Sequence, residues 1–291
     1  MEKINYIFLT EIDGRVYPGE IAPNIRFNET PELIEAEFNS FLKGKRTGFS
    51  SAFTCGLNMS KWFQENPIKT EIQSKTSFSM AIMEPSKIKK YLENHNQFKS
   101  FKMKVDKESA IDSIKEYFKW TNKDLRIDGN EAWSDPSDVM KLVELFKDKP
   151  ISLLEQPFAQ GHDDCLIELK SHIPWDLIAD ESFQMGENID EIKAKYNGVN
   201  LKMMKTAGPQ RLLELVDLCK KAKLKLMIGC MIETSVGISC ALQLAHHFDY
   251  HDLDGSLLVR EPFGFVRNIG DQIISEDNLS FFKEKRSYGI K

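Results

Sequence analysis

The chain predicts an α/β protein, a parallel β/α barrel with a small α+β capping domain at its N-terminus. Three observations carry this. Seven apolar runs each close on a charged residue or a glycine: Lys104, Asp128, Glu155, Asp180, Lys202, Gly229 and Asp254. Successive rungs lie 24, 27, 25, 22, 27 and 25 residues apart. That is one compact strand-plus-helix unit each, somewhat shorter than the ~31 residues per unit of a ~250-residue barrel. From Thr76 onward, strand-like and helix-like runs alternate, which argues for a parallel sheet rather than a sandwich. Before Thr76 the texture is different, and after Gly264 it changes again.

Residues 4–22 (INYIFLTEIDGRVYPGEIA) read as a hairpin, two strand-like runs around Glu-Ile-Asp-Gly. Residues 30–43 fit a helix with Thr30 as N-cap and Pro31 in its first turn. Residues 50–65 fit a second helix, stopped at Asn66-Pro67. In the barrel region, ESAIDSIKEYFKW between Lys104 and Asp128 is amphipathic at helical spacing. A helix over Asp138 to Lys147 follows Asp135-Pro136, and another opens at Pro209 after Gly208. The stretch after Gly264 (FVRNIGDQIISEDNLSFF) is strand and loop material. The expected division is a cap over 1–75, completed by a returning tail over 264–291, and a barrel over 76–263.

With 291 residues the chain can bury a large core. Its net charge of −5 comes with no basic stripe, which speaks against a nucleic-acid partner. Five cysteines (Cys55, Cys165, Cys219, Cys230, Cys240) form no CxxC, so reduced thiols, several of them buried, are expected. The N-terminus lacks a basic stretch followed by a long apolar run, so no signal peptide is expected and the cytoplasm is the expected location. Leu226 to Ala245 approaches the length of a membrane span. It carries Glu233, Gln243 and two glycines, and reads as a buried strand followed by a helix, not a membrane segment.

Active-site residues of such barrels sit at the carboxyl ends of strands. Asp128, Glu155 and Asp180 end three consecutive strand candidates, so their carboxylates should converge at the mouth. Any one alone would read as a solvated loop charge. Three at matched positions repel unless a cation neutralises them, and oxygen donors with open positions suit Mg²⁺. Asn130 and Glu181 lie close enough in sequence to orient them. Gln156-Pro157 ends its strand sharply. Lys102 and Lys104, two apart on one strand, face the same way into the barrel. Lys202 ends the strand after Asp180, across the barrel from Lys104, and Lys205 falls in the following loop. Either these lysines are counter-ions, or they handle a proton. In the second case one lysine removes the α-proton of a metal-bound carboxylate substrate and the other returns a proton to the opposite face of the enediolate, with inversion. The acting lysine must then be neutral, and a nearby metal and second ammonium push its pKa down. His246, His247 and His251 read as surface histidines, not metal ligands.

These residues resemble a known family. The segments KMK (102–104), RIDGN (126–130), LLEQP (153–157), IADES (178–182) and NLKMMK (200–205) resemble the enolase superfamily in its muconate-lactonising-enzyme subgroup. Residues 227–258 resemble the dipeptide epimerases within it, of the L-Ala-D/L-Glu type, and the likeness runs from about Thr76 to Val259. The resemblance implies a modified TIM barrel of the (β/α)7β type. It implies Mg²⁺ held by Asp128, Glu155 and Asp180, with Lys104 and Lys202 as the two acid/bases. It implies that Lys102 lies beside the metal-bound carboxylate and that Asp252 and Asp254 bind the α-ammonium of a dipeptide. Two carboxylates two apart on a strand face one way and suit a cation, although DLDG alone also reads as a plain turn. A homo-oligomer is expected at family level only.

One segment departs from the resemblance. Residues 7–23 (IFLTEIDGRVYPGEIAP) resemble the second or third strand region of the family's first domain, and the section from Pro31 to Thr76 is short. The loop that reads the distal part of the substrate is therefore expected to be absent or rebuilt. The activity implied is inversion at the α-carbon of a small Ala-Glu-like dipeptide. The alternatives are o-succinylbenzoate synthase, which needs no ammonium seat, and a non-catalytic paralogue with a shortened cap.

Overall fold

The computed structural model describes residues 3–284. Positions 1, 2 and 285–291, including the last part of the expected tail, lie outside the described residues. The chain opens with an antiparallel hairpin, β1 (Tyr6–Ile12) and β2 (Arg15–Ile21), turning at Asp13 and Gly14, which both hold positive φ. Two helices follow, α1 (Pro31–Leu42) and α2 (Ser51–Glu65). Thr30 Oγ1 caps α1 by accepting from Leu33 N, and Ser50 Oγ caps α2 by accepting from Phe53 N. Helix α2 lies on β2 at backbone contact. A Cβ on Gly19 would stand 1.9 Å from Gly56 O, and one on Gly56 would stand 2.4 Å from Ile21 Cγ1. Only glycine admits that approach. Phe8, Phe38, Phe41, Phe49 and Phe53 pack edge-on or tilted beside it.

After β3 (Gln73–Lys75), the barrel runs β4 (Phe78–Met80), α3 (Pro85–Asn94), β5 (Ser100–Lys104), α4 (Ala110–Trp120), β6 (Asp124–Asp128), α5 (Pro136–Phe146), β7 (Ile151–Glu155) and α6 (Leu166–Leu169). It continues through β8 (Asp176–Ala179), α7 (Ile189–Lys195), β9 (Gly198–Lys202), α8 (Pro209–Lys221), β10 (Lys225–Gly229), α9 (Ser235–Leu244) and β11 (Tyr250–Asp252). Strands β4 to β11 form one parallel sheet in chain order, eight strands with seven intervening helices, as the (β/α)7β reading expects. The span from Leu226 to Ala245 is β10 and α9, and no described helix is long and apolar enough to cross a membrane.

The seam between β4 and β11 closes by a different chemistry. Ser77 N donates to His251 O at 3.2 Å, Leu253 N donates to Thr76 Oγ1 at 2.8 Å, and Ser77 Oγ donates to Asp252 Oδ1 at 2.7 Å. Side-chain oxygens thus satisfy backbone groups that a longer ladder would have paired. The chain then forms β12 (Val266–Ile269) and β13 (Gln272–Ser275), and β13 pairs antiparallel with β3. A short helix α10 (Ser280–Glu284) follows.

Register tests the ladder rung by rung. Lys104 pairs with Asp128, Asp128 with Glu155, and Lys202 with Gly229. Two rungs differ from expectation: Glu155 pairs with Ile178, because β8 ends at Ala179 and Asp180 falls just beyond it, and Gly229 pairs with Asp252, because β11 ends there and Asp254 instead opens a 3₁₀ turn. Gly229 itself is a rung because a Cβ there would lie 2.5 Å from Asn200 Oδ1. Outside the barrel wall, the main core holds fully buried Leu125, Ile127, Leu154, Leu177, Val199 and Leu201, which face the helices. A separate interior cluster is formed by Leu153, Ile178 and Met227 with Tyr250. Burying side chains of this size contributes about 1.5–3 kcal/mol each.

Candidate active site

The carboxyl ends of β5 to β11 bring the charged rungs to one mouth. Lys102, one pleat below Lys104, is buried among three carboxylates. Its Nζ stands 2.9 Å from Asp252 Oδ2, 3.1 Å from Asp128 Oδ2 and 2.8 Å from Glu155 Oε2. Burial alone would lower its pKa, but Asp128, Asp252 and Glu155 hold it well above the ordinary lysine value. Lys104 lies higher, its side chain 41% exposed, and its Nζ donates to Asp128 Oδ2 at 3.1 Å and Asn130 Oδ1 at 3.3 Å. Asn130 N in turn donates to Asp128 Oδ1.

On the far side, Lys202 Nζ donates to Asp180 Oδ2 at 2.7 Å. Strands β5 and β9 are four places apart in a barrel of eight, so Lys104 and Lys202 come from opposite walls. Lys205 belongs to the turn after β9, as expected of a loop residue, yet it is buried. Its Nζ donates to Asp180 Oδ1, Asp180 O and Phe183 O at 2.8 to 2.9 Å. Asp180 is therefore held from both sides.

The acidic rungs differ from one another electrostatically. Burial pushes all of them up. For Asp128 the ammoniums of Lys102 and Lys104 outweigh burial, and for Asp180 those of Lys202 and Lys205 do, so both stay far below the usual carboxylate range. For Glu155 burial wins and the pKa is raised, although Lys102 opposes it. Lys202 ends above its ordinary value, against expectation: burial and the Lys102 ammonium both depress it, but the carboxylates of Asp180 and Glu155 together outweigh them.

The donor set suits a hard cation. All candidate ligand atoms are carboxylate oxygens, and Glu155 Oε2 is buried with no aligned hydrogen-bond donor, only the ammonium of Lys102 beside it. As placed, the lysines stand between the carboxylates. Among the described residues no three acidic, histidine or cysteine side chains are drawn together closely enough to hold an ion. Asn200 steadies the remaining oxygen, its Nδ2 donating to Glu155 Oε1 at 2.7 Å.

Three expected site residues turn out differently in detail, and so does one histidine. Asp252 and Asp254 do not face one way from a strand, since the strand stops at Asp252. Asp252 is taken up by Lys102 and Ser77, whereas Asp254 accepts from Ser79 N at 2.7 Å. Burial first and Asp252 second push Asp254 up to about 7. Glu181 does not orient Asp180. It pairs with Arg26 from the cap, which also stands 3.9 Å from Glu131. His251, expected at the surface, is half-buried and packed between Ser74 Oγ, Ala245 O and Phe248 O.

Sequence reasoning missed Arg26, Asn200 and the carboxamide of Gln156. Asn200 stands two places before Lys202, the same inward alternation that located Lys102, so a signal existed. Arg26 carried none. It sits in a 3₁₀ turn (Ile25–Phe27) capped by Asn24, and only the fold brings it over the mouth. A short loop of the cap does therefore reach the site.

A parallel (β/α)7β barrel carrying three acidic strand ends between lysines defines a class. Residues 86–269 match the family described as "Enolase C-terminal domain-like". The chain belongs to the enolase superfamily. It is 32% identical over 295 residues to the L-Ala-D/L-amino acid epimerase of Pedosphaera parvula, covering 89% of this chain and 84% of that protein. Its fold superposes on a substrate-liganded L-Ala-D/L-Glu epimerase from Bacillus subtilis with a TM-score of 0.84, covering 94% and 88% of the two chains at 21% identity. It also superposes on a dipeptide epimerase from Enterococcus faecalis, complexed with Mg and the dipeptide L-Leu-L-Tyr, at a TM-score of 0.80 and 25% identity, covering 94% and 90%. Within the superfamily the chain thus falls among the isomerases, with racemases and epimerases as its relatives.

Proposed function

We propose that the protein is a Mg²⁺-dependent dipeptide epimerase, inverting the α-carbon of the C-terminal residue of an Ala-Glu-like dipeptide. The observation that carries this is the pair Lys104 and Lys202, set on opposite walls with the acidic strand ends between them. Asp128, Glu155 and Asp180 would hold the metal. Bound there, the ion would draw charge from the substrate carboxylate and make its α-proton more acidic.

The chain's own residues then do the proton work. One lysine removes the α-proton from its face, and the other delivers a proton to the opposite face. Geometry that serves one direction serves the reverse with the roles exchanged, so both epimers are substrates. Lys102, below the mouth, offers a fixed positive charge to the developing enediolate. Asp254, with Asp252 beside it, is the seat for the substrate ammonium. A cation there would relieve the strain that raises the Asp254 pKa. Arg26, 41% exposed and paired to Glu181 and Glu131, supplies a cation at the outer rim, which favours an acidic side chain on the inverted residue.

The test is incubation with MgCl₂ and L-Ala-L-Glu in D₂O, following the Glu α-proton by NMR. Exchange accompanied by the D-epimer is expected. No exchange across a dipeptide library would overturn the reading.

A further inference from the structure

We propose that Gln156 is the positioning residue that sets the three acidic strand ends relative to one another, an assignment that rests on reading Asp128, Glu155 and Asp180 as metal ligands. Gln156 follows Glu155 directly and is fully buried. Its backbone takes φ of +34°, a left-handed conformation that a side chain other than glycine disfavours. Such a conformation persists only where the surroundings over-determine it, and here every polar atom of the residue is engaged.

The backbone reaches both neighbouring strands. Gln156 N donates to Ile178 O at 2.9 Å, on the strand that leads into Asp180. Gln156 O accepts from Glu131 N at 2.9 Å, in the turn that follows Asp128. That turn closes against it, since a Cβ on Gly129 would lie 2.9 Å from Gln156 O. The side chain then fixes the third corner. Oε1 accepts from Asp180 N at 2.9 Å and from Ser182 N at 3.0 Å. Nε2 donates to Phe158 O at 2.8 Å, Ser182 Oγ at 2.8 Å and Tyr196 OH at 3.1 Å.

The orientation of the carboxamide is imposed from behind the site. Ser182 Oγ and Tyr196 OH both donate to Asp163 Oδ2 at 2.7 Å, and Asp163 Oδ1 is held by Lys195 Nζ at 2.9 Å. With their protons committed to Asp163, the two hydroxyls can only accept from Gln156. The amide nitrogen must face them, and the amide oxygen must face the N–H groups of Asp180 and Ser182. A buried network satisfied at every member specifies one geometry. Among the described residues neither Asp163 nor Tyr196 hydrogen-bonds to Asp128, Glu155 or Asp180, and both reach the site through Gln156 and Ser182.

The experiment uses the full-length protein, wild type, Gln156→Met and Tyr196→Phe. Three quantities are measured: Mg²⁺ affinity by calorimetric titration with MgCl₂, thermal midpoint in EDTA, and α-proton exchange of L-Ala-L-Glu at saturating MgCl₂. Gln156→Met keeps volume and removes five side-chain bonds. It should weaken Mg²⁺ binding by about 10–100-fold, the range for partners that orient metal ligands, and slow exchange even at saturation. Tyr196→Phe removes one donor to Asp163 and one acceptor for Nε2, and should shift affinity the same way by less. It decides the matter if Gln156→Met does not fold. Variants that lose thermal midpoint in EDTA but bind Mg²⁺ with wild-type affinity would show a merely structural role and overturn the assignment. A wild-type protein that takes up no Mg²⁺ overturns the reading of the ligands, and this assignment with it.

Discussion

Replacing Lys104 and Lys202 one at a time with methionine separates chemistry from stability. The side chain of Lys104 is 41% exposed, with its Nζ 3.1 Å from Asp128 Oδ2. An ion pair of that exposure contributes about 0–1 kcal/mol, so Lys104→Met should barely move the urea midpoint. Lys202 is buried, with its Nζ 2.7 Å from Asp180 Oδ2. Removing one partner of a buried pair costs about 3–5 kcal/mol. Lys205 still holds the other oxygen of Asp180 at 2.8 Å, which places the expected loss near the lower end, about 3 kcal/mol. Stability should therefore distinguish the two variants, while chemistry should not. Each should lose inversion by at least ~10²–10⁴-fold, the usual contribution of a general acid or base. The assay is NMR in D₂O, run separately from L-Ala-L-Glu and from L-Ala-D-Glu. Each variant keeps one base, so each should still exchange the α-proton of one epimer, and the two variants should exchange opposite epimers. Inversion at the wild-type rate in both, or exchange of the same epimer by both, refutes the two-base arrangement.

Three further outcomes are expected. Burial and the neighbouring Glu20 push Glu233 up to about 8 from an ordinary 4.5. Between those values the folded protein holds a proton that the unfolded chain releases, so stability should fall as pH rises through this window and level off above it. Glu233→Gln should flatten that slope in urea midpoints taken from pH 5 to 9, and an unchanged slope would assign it to other groups. Gly19→Ala pushes a methyl into Gly56 O and should destabilise by about 1–3 kcal/mol in the same assay, as overpacking does; a neutral result would mean that α2 can move off β2. Arg26→Ala should raise KM for L-Ala-L-Glu while leaving L-Ala-L-Leu nearly unaffected, and an equal rise for both would remove Arg26 from side-chain recognition.

Much of the barrel was legible because its signals are local and periodic. An apolar run ending in a polar residue needs only its own strand, and inward alternation at a period of two located Lys102 from Lys104. Helix starts at Thr30 and Pro209 were legible for the same reason, since a capping hydroxyl or a first-turn proline acts within its own turn. The end of β11 was not. Strand length there depends on how the seam with β4 closes, and Thr76 and Ser77 close it with side chains. The orientation of Asp252 relative to Asp254 followed from that and could not be read from D-x-D spacing.

What the sequence by itself determined is the order of chemistry around the mouth: lysine, three acids, lysine, an acidic pair. Chain order becomes spatial order in a parallel barrel because each strand pairs with the next. What only the tertiary structure decided is who holds whom. Lys102 meets Asp252 across 150 residues, Asp180 is gripped by Lys205 as well as Lys202, and Arg26 crosses from the cap to Glu181. Those contacts depend on barrel closure and on the seating of the cap. Both arise from packing between distant segments, which no local pattern in the chain records.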